Sequence, residues 1–215
     1  ARRAKLASMG DIIRRGAPAL TEKFTSERGV DRLESHFSIA AACLITGLSH
    51  GVTIRMDNLE HVYSGLGLDQ QNVHAIGHGT GSNGMTAEEC RTVIRAYHIR
   101  LLAGLATRLR SVPEGDGTML DNTMIVYLSD AGEAHHGTLE EWPFLTVGGC
   151  GGRLTLPGQF VRMPDYGQAG HGTIGNFYTS ILNAYGDPVE HFGDPDFELE
   201  SQGLPQRGAV PSLIA

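Results

Sequence analysis

No stretch of this 215-residue sequence approaches the roughly 18 consecutive apolar residues that a membrane-crossing helix needs, so no membrane span is expected. Cysteine is scarce. Cys43, Cys90 and Cys150 are too few and too scattered for a disulfide framework or a zinc knuckle. Cys43 and Cys90 sit in helical apolar contexts as small core residues, and Cys150, inside a glycine run, has the exposure of a reactive thiol but no evident partner base. Three thiols, or one disulfide and one thiol, both fit. Basic charge is also in deficit: 17 Lys and Arg against 24 Asp and Glu give −7. That excludes the basic footprint of a general nucleic-acid binder. The exception is residues 2–15, where Arg2, Arg3, Lys5, Arg14 and Arg15 face Asp11 alone, as on a solvated helix face. No Gly-x-Ser-x-Gly elbow is present, and Gly148–Gly152 lacks the Lys-Ser/Thr of a phosphate-binding loop. The sequence starts at Ala1 with no initiator Met and no signal core, the expectation for a processed product or part of a longer protein.

What is abundant is glycine, 29 of 215 residues, nearly twice the usual ~7%. Without a Gly-X-Y period it signals tight turns and close backbone approaches. Periodicity predicts a polar helix from Ala1 to about Leu20, broken near Gly16-Ala17-Pro18, and a stronger one over 31–48. Val52–Met56 reads as a strand. Residues 57–85, with six glycines, read as a long functional loop. Thr86 and Glu89 have capping-box spacing ahead of a helix striped by Val93, Ile94, Tyr97, Leu101, Leu102, Leu105 and Leu109. Met124–Leu128 and Phe144–Val147 read as strands, Leu154–Met163 as a β-excursion, and Thr173–Tyr185 as a last helix. The alternation predicts an α/β fold, a largely parallel sheet sandwiched by helices. The expected divisions are 1–30, helical and basic, 31–195, the α/β body, and 196–215, an irregular tail.

In such a fold, ligands bind beyond the carboxyl ends of strands. Three polar clusters fall there: His74 and His78 after the first strand, Asp130 to His136 after the second, and His171 before the last helix. Imidazole and carboxylate suit zinc and other divalent ions, and Asp130 stands at a strand end. Each histidine alone also fits a surface loop residue making one hydrogen bond. His36, His50, His61, His98 and His191 are read as structural, with His98 a packing or surface residue in mid-helix. Glu133 reads equally as a base, a ligand or a solvent-facing residue, and Glu140-Glu141 as exposed.

The segment Asp121-Asn122-Thr123-Met124-Ile125-Val126-Tyr127-Leu128-Ser129-Asp130-Ala131-Gly132-Glu133 resembles a landmark strand of the alkaline phosphatase and sulfatase superfamily. Ala42–Leu48 and Trp142–Gly149 are similar to flanking elements of uncharacterised exported bacterial sulfatase-like proteins, and the likeness spans roughly 33–195. It implies an incomplete, C-terminal portion of an alkaline-phosphatase-like fold. It also implies a divalent metal ion (zinc, manganese or calcium) with Asp130 as a ligand, His135 or His136 as the histidine that follows it and His74 or His78 as the earlier loop histidine; His171 joins these candidate ligands by its place among the polar loops, and His78 and His136 are the candidate proton donors to a leaving group. The substrate class would be a small anionic phosphate or sulfate ester. Two departures stand out. Ala131 occupies the place of an adjacent ligand histidine, and the superfamily nucleophile has no counterpart here. The expected partner is therefore a missing N-terminal half or another protein chain, covering an exposed sheet edge. The alternative is a non-catalytic sulfatase-like scaffold or subunit with a degenerate metal site. A metal-binding oxidoreductase or storage protein is disfavoured because its ligands would sit at helical spacing. The resemblance also implies a periplasmic or extracellular location.

Overall fold

The computed structural model describes residues 2–16, 20–129, 142–155, 158 and 160–213. The chain divides into two compact units, Ala1–Val112 and Pro113–Ala215.

The first unit is helical. α1 (Arg2–Gly16) and α2 (Leu20–Thr25) pack on α3 (Gly29–Ile45), which in turn packs on α5 (Ala87–Arg110); the short α4 (Val73–Gly77) lies against α5. Apolar spacing builds this core. Val30, Leu33, Phe37, Ala40, Ala41 and Ala42 of α3 are buried, as are Cys90, Ile94, Tyr97, Leu102, Leu105 and Leu109 of α5. Side chains as small as Ala41 and Ala42, fully buried, let another backbone come close. The Tyr97 hydroxyl donates to the Val30 carbonyl at 2.7 Å, tying the middle of α5 to the start of α3. Lys23 pairs with Glu34 between α2 and α3. The capping box that opens α5 is formed as its spacing predicts, with Thr86 accepting from the Glu89 amide and Glu89 accepting from the Thr86 amide.

The second unit holds two small sheets. β1 (Pro113–Glu114) and β2 (Gly117–Thr118) form a tight hairpin. β3 (Ile125–Leu128) pairs antiparallel with β4 (Phe144–Val147), Ile125 opposite Val147 and Leu128 opposite Phe144. Between the two sheets lies α6 (Met119–Asn122). α7 (Ile174–Ala184) and α8 (Phe197–Ser201) follow, α7 opened by Thr173 with Asn176 in a capping box. Gly148 is obligatory after β4: its φ is +112°, and a Cβ there would stand 2.1 Å from the Thr123 carbonyl oxygen.

This overturns the predicted fold class. No parallel sheet is present among the described residues, and helices do not sandwich one. The apolar run 124–128 suggests a strand buried on both faces. In the structure all four β3 residues are half-buried in a two-stranded ladder, and register places the ends nearest the connecting segment, Leu128 and Phe144, opposite each other. Such a pair is a long-looped hairpin, not a crossover. The strand expected at 52–56 is also absent. Its β-branched residues find no ladder partner, and Val52 is exposed. Of the β-excursion at 154–163, no strand is seen among its described residues; only an isolated bridge at Leu154 is. The tail from 196 onward is tied into the second unit. It contains α8, and its backbone is strapped to α7 by the buried side chain of Asn176, which donates to the carbonyls of Gln206 (2.8 Å) and Gly208 (2.7 Å). Ser180 accepts from the Val210 amide at 2.8 Å. Among the described residues, no helix is long and apolar enough to cross a membrane.

Candidate functional site

The long segment between α3 and α5 contains a helix that its glycines conceal. Asn72 caps α4 by accepting from the Ala75 amide at 2.9 Å, and Gly77 and Gly79 end it after one turn. His74 and His78 therefore stand four residues apart on one helical face, not in an open loop. Their Nε2 atoms are 3.0 Å apart. One ring must donate and the other accept across that contact, so one is the Nε2–H tautomer and the other Nδ1–H. Three bonds hold α4 in place. The His74 amide donates to the Leu59 carbonyl (3.0 Å), the Val73 amide to the His61 carbonyl (2.9 Å), and Arg91 of α5 to the Ile76 carbonyl (3.1 Å).

Two imidazole nitrogens bound to one zinc at ~2.0–2.1 Å lie about 2.9 Å apart at a right angle and about 3.4 Å apart at the tetrahedral angle. The observed separation falls inside that interval, and it is equally the ordinary length of the hydrogen bond that joins the two rings. Among the described residues no group of three or more His, Cys, Asp or Glu side chains is placed to hold a metal ion.

In the second unit, β3 ends at Leu128, and the Ser129 carbonyl accepts from the indole of Trp142 at 2.8 Å. This fixes the backbone immediately before Asp130. Asp130, His135 and His136, together with Glu133 and Glu140-Glu141, lie outside the described residues. His171 is half-buried, and its Nδ1 lies 2.8 Å from the Pro164 carbonyl. A carbonyl only accepts, so Nδ1 carries the hydrogen and Nε2 presents its lone pair. Tyr166 stands edge-on to that ring at 5.5 Å, with its hydroxyl 2.9 Å from both carboxylate oxygens of Asp196. Loss of solvent and then the neighbouring Asp196 push the Tyr166 phenol up to about 12. The sequence places His74 with His78, and the structure joins them. His171 belongs to the other unit.

Cys150 lacks the exposure expected of it. It is buried at 2% exposure in a backbone with φ +49°, and all three cysteines are free.

Sequence reading missed a second polar cluster in the first unit. The Tyr63 hydroxyl, in a fully buried side chain, donates to Asp57 Oδ2 at 3.0 Å and lies 2.6 Å from His98 Nε2. His61 stacks edge-on against Tyr63 at 4.4 Å, with its Nε2 buried and without a hydrogen-bond partner. Burial pushes both His61 and His98 below their ordinary 6.5; Asp57 opposes this, while Arg32 adds to it at His61, and His61 adds to it at His98. One signal was available. His98 lies four residues after Ile94 and four before Leu102, on the apolar stripe of α5.

No protein-family model, curated protein or solved structure matches this chain.

Proposed function

We propose that this chain is part of a divalent-metal-dependent hydrolase of phosphate or sulfate esters, contributing imidazole ligands while the nucleophile comes from outside it. The observation that supports this best is the 3.0 Å approach of His74 Nε2 and His78 Nε2 on one face of a capped helix. Nitrogen ligands favour zinc over calcium, which takes oxygen. His171, with its Nε2 lone pair set by Pro164, is suited to the same chemistry, as a ligand or as a proton carrier. Asp130, His135 and His136 enter the proposal on sequence alone. The bound ion would supply charge neutralisation at an ester oxygen. The chain's own residues do the rest: α4 sets the spacing of the pair, and Arg91 and the Leu59 carbonyl fix its orientation. Since the pair shares a hydrogen between its Nε2 atoms, cation uptake must displace that hydrogen and so release or relocate a proton.

The test is metal content of the full chain after chelation and separate equilibration with zinc, manganese or calcium. Near-stoichiometric zinc or manganese, weakened about tenfold or more by His74→Ala or His78→Ala, is expected. Uptake unchanged in both variants removes the pair from the site, and no uptake at all ends the metal reading. Metal-loaded chain that turns over neither aryl phosphate nor aryl sulfate, alone or with its co-purifying partner, favours the scaffold alternative.

A further inference from the structure

Tyr63 and His98 connect residues 51–68 to α5 through a 2.6 Å polar contact. A phenol has one hydrogen, and the 3.0 Å bond gives it to Asp57 Oδ2. The 2.6 Å contact on the other side must then be filled by a hydrogen on His98 Nε2. The imidazole is thereby already protonated at Nε2, and any further proton arrives at Nδ1 as full charge on a side chain 4% exposed. Asp57, His61 and Tyr63 face it from the 51–68 segment, and on α5 the Tyr97 ring lies 6.0 Å away with Arg100 over it. From α3, Arg32 acts on His61, and Asp31 and Glu34 act on Tyr97.

We propose that Asp57, Tyr63 and His98 form a protonation-sensitive latch, closed while His98 is neutral, that releases the 51–68 segment from α5 when the imidazole gains its second proton. Three observations carry it. Residues 51–58 form no helix or strand, so side chains hold them. Asp57 is joined to His98 through the Tyr63 phenol, whereas opening hydrates the imidazolium directly. The desolvation that disfavours charge on His98 outweighs the pull of Asp57, and His61 adds to it. Release extends to α4, since the carbonyls of Leu59 and His61 receive the His74 and Val73 amides. The latch needs no metal and stands apart from the metal reading.

The experiment is hydrogen–deuterium exchange of the full chain with chelator present, at pH 7.5 and 5.0, corrected for intrinsic exchange. The amides of His61, Leu66, Leu68 and Val73, all hydrogen-bonded in the closed state, should exchange at least tenfold faster at pH 5.0, relative to the centre of α5. His98→Gln keeps an N–H for Tyr63 but cannot titrate, and should abolish that gain. Tyr63→Phe cuts both links, so exchange should already be fast at pH 7.5 and gain little on acidification. No acid gain in the parent, or an equal gain in His98→Gln, overturns the latch. Should His98→Gln fail to fold, the His98 Cε1–H resonance of the parent decides: a titration midpoint more than one pH unit from that of segment opening overturns it as well.

Discussion

Asn176 separates two rules that give opposite answers for one substitution. It is the third residue of α7, where a carboxylate is favoured: Asp there would still accept from the Thr173 amide and hydroxyl (2.9 and 2.8 Å) and would meet the positive end of the helix, a gain of about 0.3–1 kcal/mol. Capping logic therefore predicts that Asn176→Asp is neutral or stabilising. The Nδ2 group points the other way, to the carbonyls of Gln206 and Gly208, at 6% exposure. An Asp puts an oxygen where those two carbonyls need a donor. Each buried bond lost leaves an unsatisfied acceptor, roughly 1–3 kcal/mol apiece, and a carboxylate facing two carbonyl oxygens adds repulsion. The strap wins: Asn176→Asp should cost about 2–5 kcal/mol and exceed Asn176→Ala, which removes the donor without adding charge. Urea unfolding at pH 7 gives the order, and limited proteolysis should show the 188–213 region cut first in both variants. If Asn176→Asp matches or exceeds the parent in stability, the tail is not held as described.

Other outcomes follow from neighbouring contacts. Gly29→Ala places a Cβ 2.1 Å from His61 Cε1, so overpacking of ~1–3 kcal/mol should exceed the helix-propensity gain of at most ~1 kcal/mol; His61→Ala in the same chain should remove the penalty, as a double-mutant cycle would show. His61 and His98 are both pushed below 6.5, so the folded chain binds fewer protons than the unfolded one just below that pH. Their contribution is complete above pH 6.5 and is lost as pH falls toward the folded-state values, at up to about 1.4 kcal/mol per pH unit for each histidine. Denaturant titrations between pH 7.5 and 5 should show that slope fall by one histidine's share in His98→Gln.

What was legible in the sequence was local. Thr86 and Glu89 announce α5 because a capping box needs only four residues. The stripe from Leu33 to Ala41 gives α3 because burial repeats every turn. Strand direction was not legible: Ile125–Leu128 has the same apolar content whether its partner runs parallel or antiparallel, and the register with Phe144 is set by pairing across the connection. The run at 52–56 has strand propensity but no partner, and propensity without a ladder does not make a strand. Of the candidate site, the pairing of His74 with His78 was visible as spacing, but not as a helix, since one turn bounded by Gly77 and Gly79 carries no periodicity. Tyr63 and His98, 35 residues apart, carried no joint signal at all.

α5 also serves as a common support. Arg91, which holds the end of α4, and His98, which holds Tyr63, are seven residues apart, so they share a face about 10.5 Å apart along one rod. α4 is thus gripped twice, by the rod itself and by the segment fastened to it. Two equilibria joined through one body must trade free energy symmetrically. If the two proposals above both hold, whatever factor latch closure adds to cation affinity at the imidazole pair must return as resistance to acid opening, and titrating either event in the presence of the other measures the same coupling constant.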